Sequence, residues 1–143
     1  MKGNEELVKA LNSLLDGEFT VINEHIVQSE ICAKSGCDKL AQDIRKRAMD
    51  EMIHAGWLIE RIAFIEGEST ISRLNSIKVD KKVSERFINN ENIEPGVISR
   101  YNESIKRIGQ TDDQGSLDLS TRFPIVEEEY VNWSAKKKHK LII

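Results

Sequence analysis

Residues 38–66 read DKLAQDIRKRAMDEMIHAGWLIERIAFIE, and the position of one acid in this stretch decides the fold. At about 100° per residue, Leu40, Ile44, Ala55, Leu58, Ile62 and Ile65 fall on one side of a helix, and Glu51 falls among them. His54 stands one turn further along. An ionised carboxylate inside an apolar stripe is costly unless a cation answers it. The pattern repeats along the chain. Leu7, Leu11, Leu14, Glu18, Ile22 and His25 share a narrow face; Glu94 keeps phase with Val83, Phe87, Ile98, Tyr101, Ile105 and Ile108; Glu127 lies in a segment where Leu119, Phe123, Val126, Tyr130 and Trp133 stay in phase. Four helices with inward acids, one of them adding a histidine three residues on, make the ligand set of a di-iron four-helix bundle. For any one acid alone the rival is an ion pair with arginine or lysine, and for His54 alone a hydrogen-bonded core imidazole.

The chain has 143 residues, 39% hydrophobic and 31% charged, so residues 1–143 are read as a single domain with a moderate core. A net charge of −3 argues against nucleic-acid or membrane binding, which by charge alone needs a concentrated basic surface. The opening MKGNEELVKALN has no apolar signal region, and no stretch approaches the roughly 20 residues of a membrane span. The cytoplasm is the expected location. Cys32 and Cys37 fit neither a CxxC pair nor a disulfide framework and are read as reduced, packing thiols.

Apolar residues recur at three and four spacing with only two prolines as breakers, which makes the fold class all-α. Helix A is expected from Asn4, its N-cap, to Lys34, where Ser35 and Gly36 stop it; helix B from Asp38 to Glu66, ended by Gly67. Residues 67–80 read as a loop or crossover, then helix C (81–109), a turn at Thr111–Gly115, and helix D (116–140). A long middle connection implies crossed topology. Pro95 and Pro124 fall inside helices C and D, where proline costs about 3 kcal/mol. The apolar phase continues through both, which favours kinks over fresh starts. The run Lys136-Lys137-Lys138-His139-Lys140 reads as a solvated helix end favoured by the helix dipole, with an anionic partner as the alternative.

LLDGEFTVINEH (14–25), MDEMIHAGWLIERIAFIEG (49–67) and EEEYVNW (127–133) resemble helices A, B and D of bacterioferritins. The resemblance implies a ferritin-like four-helix bundle with a long crossover between helices B and C. It also implies a ferroxidase centre in which Glu18, Glu51, His54, Glu94 and Glu127 hold two irons and Glu51 bridges. Where the family has a histidine as sixth ligand, this chain has Tyr130. A phenol with an ordinary pKa near 10 binds as phenolate mainly to a strong Lewis acid such as Fe(III), so the second iron should be held weakly as Fe(II). Two outcomes stay open: a slow ferroxidase whose Tyr130 stabilises the ferric product, or a catalytically degenerate, haem-binding or structural shell subunit that relies on another subunit for oxidation. His25 stands near where the family has a tyrosine, as a structural residue or a compensating ligand.

Met52 matches the family's axial ligand to haem b, one thioether coming from each subunit across a two-fold axis; plain interface packing is its alternative. The implied function is iron storage and detoxification, with Fe(II) oxidised by oxygen or peroxide and kept as ferric mineral. The implied partners are copies of itself in a 24-subunit shell of two-fold dimers, a second bacterioferritin subunit type and a ferredoxin-type reductant. Family members continue past the position of Ile143 into a short fifth helix. Its absence here leads to the expectation of a wider four-fold opening or a weaker shell.

Overall fold

The Asn4 side chain accepts a hydrogen bond from the Leu7 amide at 2.7 Å, pairing one of the donors that every helix start leaves open. From this cap the computed structural model, which describes residues 3–74 and 98–141, runs through α1 (Glu5–Lys34), α2 (Asp38–Phe64), α3 (98–109), α4 (Gln114–Ser120) and α5 (Arg122–Leu141). No strand occurs among the described residues. With α4 and α5 forming one arm, the fold is a four-helix bundle. Of the expected crossover at 67–80, residues 67–74 run without helix; residues 75–80, the start of helix C, Glu94 and Pro95 lie outside the described residues.

Helix α1 stops where expected. Gly36 takes φ 76°, a left-handed value that suits glycine, and the Cys37 amide donates to the Cys32 carbonyl at 2.9 Å. Helix α2 ends two residues before the predicted Glu66. Here Glu66 itself adopts the left-handed conformation (φ 57°), and the Gly67 amide closes the turn on the Ile62 carbonyl at 2.8 Å. Gly67 is needed for close packing instead. A Cβ there would meet Val8 Cγ2 at 2.8 Å.

Helix D, expected whole from residue 116, starts at Gln114 and is divided at Thr121. Gln114 and Gly115, read as turn, are therefore helical. Asp113 supplies the cap by accepting from the Ser116 amide at 2.8 Å. Pro124 accounts for the division: a proline ring conflicts with the carbonyl four residues back, which is Ser120, the last residue of α4. As the third residue of α5 it gives up an N–H that has no partner within the helix anyway.

The apolar stripes meet as their periodicity requires. Leu7, Leu11 and Leu14 of α1, Leu58 and Ile62 of α2, Ile108 of α3 and Phe123 of α5 share one core. Cys32, Leu40, Ala41 and Ile44 form a second, smaller one with Trp133 packed against it. Cys32 is buried and Cys37 half-buried, and no disulfide joins them. On α5 the buried row is Phe123, Glu127, Tyr130 and Ser134, with Val126 and Trp133 at its edges. Among the described residues no helix is long and apolar enough to cross a membrane.

Candidate metal centre

Glu18 and Glu51 enter the bundle because each occupies a core position of its helix, and both are almost completely buried, 1% and 0% exposed. His54, one turn beyond Glu51, turns back towards both acids. Its Nδ1 lies 2.8 Å from Glu51 Oε2 and 3.6 Å from Glu18 Oε2. One ligand atom from each of the three residues falls within 4.8 Å of the others. Glu18 Oε2 and Glu51 Oε1 are buried and accept no hydrogen bond among the described residues. The open lone pairs of Glu18 Oε2 are what a cation would satisfy, whereas Glu51 Oε1 already has the Arg47 guanidinium close by.

Two residues that the sequence reading did not single out for the site shape it. Tyr101 donates its hydroxyl to Glu18 Oε1 at 2.6 Å. The ring reaches that position only because residue 17 is glycine: a Cβ there would lie 2.7 Å from Tyr101 Cε1. Arg47 is the other. Its Nε stands 2.9 Å from Glu51 Oε1 as an ion pair whose angle is not that of a hydrogen bond, and its Nη2 lies 3.6 Å from Glu127 Oε1. The same nitrogen donates to the Val126 carbonyl at 3.2 Å, and the guanidinium lies 4.9 Å above the Tyr130 ring. The available signal was its place four residues before Glu51, one turn away on the same face.

The proposed ligands therefore divide. Glu18, Glu51 and His54 come together; Glu127 and Tyr130 are buried but face Arg47. The rival ion-pair geometry is present for Glu127 and, closer, for one oxygen of Glu51, both with Arg47. Glu94 lies outside the described residues. His25 packs edge-on against Tyr130, ring centroids 4.9 Å apart, and does not join the three. Met52 projects from another side of α2 and is 55% exposed. In the basic run, Lys137 reaches back to Asp43 at 3.3 Å.

Burial and close charges set the protonation of the group. Desolvation pushes Glu18 up to about 8 against the nearby His54 and the hydrogen bond from Tyr101, and Glu51 beside it adds to the rise. Desolvation opposes the charge on Glu51 too, but His54, Glu18 and Arg47 outweigh it and hold that carboxyl below its usual range. His54 would be lowered by burial, yet the two carboxylates raise it to about 9. Burial and the Glu51 charge push Glu127 up to about 7 in spite of Arg47. At neutral pH an imidazolium thus bridges the two acids that a metal ion would bind.

Comparison with known proteins gives the family. The model of the ferritin-like domain family matches residues 8–141. The bacterioferritin of Mycobacterium leprae is 29% identical over 133 residues, covering 93% of this chain and 84% of its own length. A bacterial ferritin of Synechocystis is 31% identical over 138 residues, with 96% and 88% covered. A match over nearly the whole helical chain, together with buried acids on the matching helices, places this protein in the ferritin family as a bacterioferritin-like member.

Proposed function

We propose that the chain is an iron-storage subunit of a bacterioferritin-like shell that takes up Fe(II) at Glu18, Glu51 and His54. The observation that carries the reading is that Glu18, Glu51 and His54 each bring one ligand atom within 4.8 Å of the others, with Glu18 Oε2 buried and accepting no hydrogen bond among the described residues. Carboxylate oxygens suit a hard cation and imidazole adds affinity for Fe(II). A cleft of about 360 Å³ leads to His54 and Arg47, and its lining acids Asp50 and Glu129 favour the approach of cations. Each Fe(II) oxidised gives one electron to oxygen or peroxide, and the ferric product passes to stored mineral. Glu94, Glu127 and Tyr130 belong to the proposal as family-matched positions. The test is oxidation of Fe(II) by the purified protein alone: ferric absorbance should develop in wild type and be lost in Glu51→Ala, and equal rates in both would overturn the reading.

The second reading, a shell subunit that depends on another subunit for oxidation, is favoured by one specific observation: the Arg47 guanidinium stands beside Glu127 and over the Tyr130 ring. Haem b fits the outer face of α2. Met49, Met52, Ile53 and Phe64 are exposed there, and a Cβ on Gly56 would meet nothing within 4 Å. Met52 from each of two copies would hold the group, which when bound supplies one-electron transfer. Reconstitution with haem should give a spectrum that Met52→Leu erases, and an unaltered spectrum would remove Met52 from the proposal. The 24-subunit assembly, a ferredoxin-type reductant and a cytoplasmic location go with the family reading.

A further inference from the structure

Arg47 is a permanently charged group, only 14% exposed, set between two buried carboxylates on different helices. Three contacts fix it there besides the ion pair to Glu51: Glu127 on one side, the Val126 carbonyl as acceptor, and the Tyr130 ring as a flat platform. A planar guanidinium suits such a setting because it stacks and donates at the same time. The space between Glu51 and Glu127 is therefore filled by a positive group belonging to the protein. On the other side of Glu51, no lysine or arginine among the described residues pairs with Glu18, and the His54 Nδ1 faces both acids.

We infer that the centre takes a single divalent metal ion, at Glu18, Glu51 and His54, and that the Arg47 guanidinium permanently occupies the place a second ion would take between Glu51 and Glu127. The inference rests on the proposed metal site and goes beyond it by assigning its stoichiometry. Charge supports it. With their protons displaced by metal, the three carboxylates Glu18, Glu51 and Glu127 are balanced by one divalent ion plus one guanidinium, whereas a second divalent ion beside the guanidinium would leave the described residues of the site with an excess of positive charge. Tyr130 then has a role other than that of a ligand, because its ring carries the guanidinium. With one metal per site, two-electron reduction of an oxidant cannot be completed by two irons within a single subunit.

The test counts Zn(II) bound inside the bundle of the purified, metal-stripped full chain, by anomalous scattering from soaked crystals and by calorimetric titration. Wild type should hold one ion, and Arg47→Leu and Arg47→Gln should hold two, the second between Glu51 and Glu127. Arg47→Lys, which keeps the charge but not the stack, should remain at one, which separates a charge effect from a structural one; circular dichroism confirms that each variant is folded. Two ions in wild type would overturn the inference while leaving the metal site standing. One ion in every variant would also overturn it, since Arg47 would not be what limits the count. No ion in any of them would remove the metal site itself, and this inference with it.

Discussion

Gly17 and Tyr101 act as one unit, since the absence of a side chain on α1 admits the ring that hydrogen-bonds Glu18. Alanine in a helix interior ordinarily gains up to about 1 kcal/mol over glycine. Here the new methyl would collide with a buried ring, so Gly17→Ala should instead destabilise by about 1–3 kcal/mol in urea unfolding. A stabilised variant would show that the ring is not confined. The proton balance also belongs to single residues. His54 is raised to about 9 from its ordinary 6.5 and Glu18 to about 8 from 4.5, so both bind protons more tightly in the folded chain. Their contribution to metal-free stability is complete below the ordinary values and lost as pH rises through about 8 and 9; Glu51, shifted down, acts in the opposite sense and only in acid. Metal uptake must displace these protons, so affinity should fall about tenfold per pH unit for each proton released as pH drops from 7 to 6. Titration calorimetry in buffers of different ionisation enthalpy measures that release, and zero protons released would contradict the imidazolium bridge. The inward direction of Glu18 and Glu51 was legible because their apolar neighbours are unambiguous. Arg47 was not, because a long cationic side chain usually reaches water and its burial depends on Tyr130 and Glu127 from a distant part of the chain.

Helices α1 and α2 were legible almost to the residue, since capping signals and a regular apolar row agree there. The second half of the chain was harder to read. Pro124 was recognised as a disturbance, but whether it kinks or divides a helix depends on what the carbonyl of Ser120 does. The start of α4 was hidden because Gln114 and Gly115 look like turn residues. Gly115 is in fact helical and leaves room for Arg61, whose Nη2 would lie 2.6 Å from a Cβ at that position. Arg61 donates through Nε to Ser116 Oγ at 2.9 Å and pairs with Asp113, which also caps α4. Removing Asp113 thus takes away a cap and leaves a partly buried arginine without its carboxylate. Asp113→Ala should cost about 1–3 kcal/mol, while Asp113→Asn, which keeps the cap, should cost less. Equal losses in the two would mean that the ion pair, not the cap, supports this corner.

At the scale of the whole molecule, one face of α2 stands out. Met49, Met52, Ile53 and Phe64 are more than half exposed, on the helix that turns Glu51 inward. Apolar side chains gathered in this way mark a surface that another chain covers, as the subunit of an oligomer requires. Ile53→Asp combined with Phe64→Asp should shift sedimentation towards monomer without loss of helix content; an unchanged assembly would place the contact elsewhere. The central claim is that Glu18, Glu51 and His54 are gathered to bind iron. Crystals of the full chain soaked in Fe(II) without oxygen, measured at the iron absorption edge, test it most directly. An anomalous peak bounded by oxygens of Glu18 and Glu51 and by the His54 Nδ1 is the expected result. Iron absent from that position, with the imidazole still bridging the two carboxylates, would contradict it.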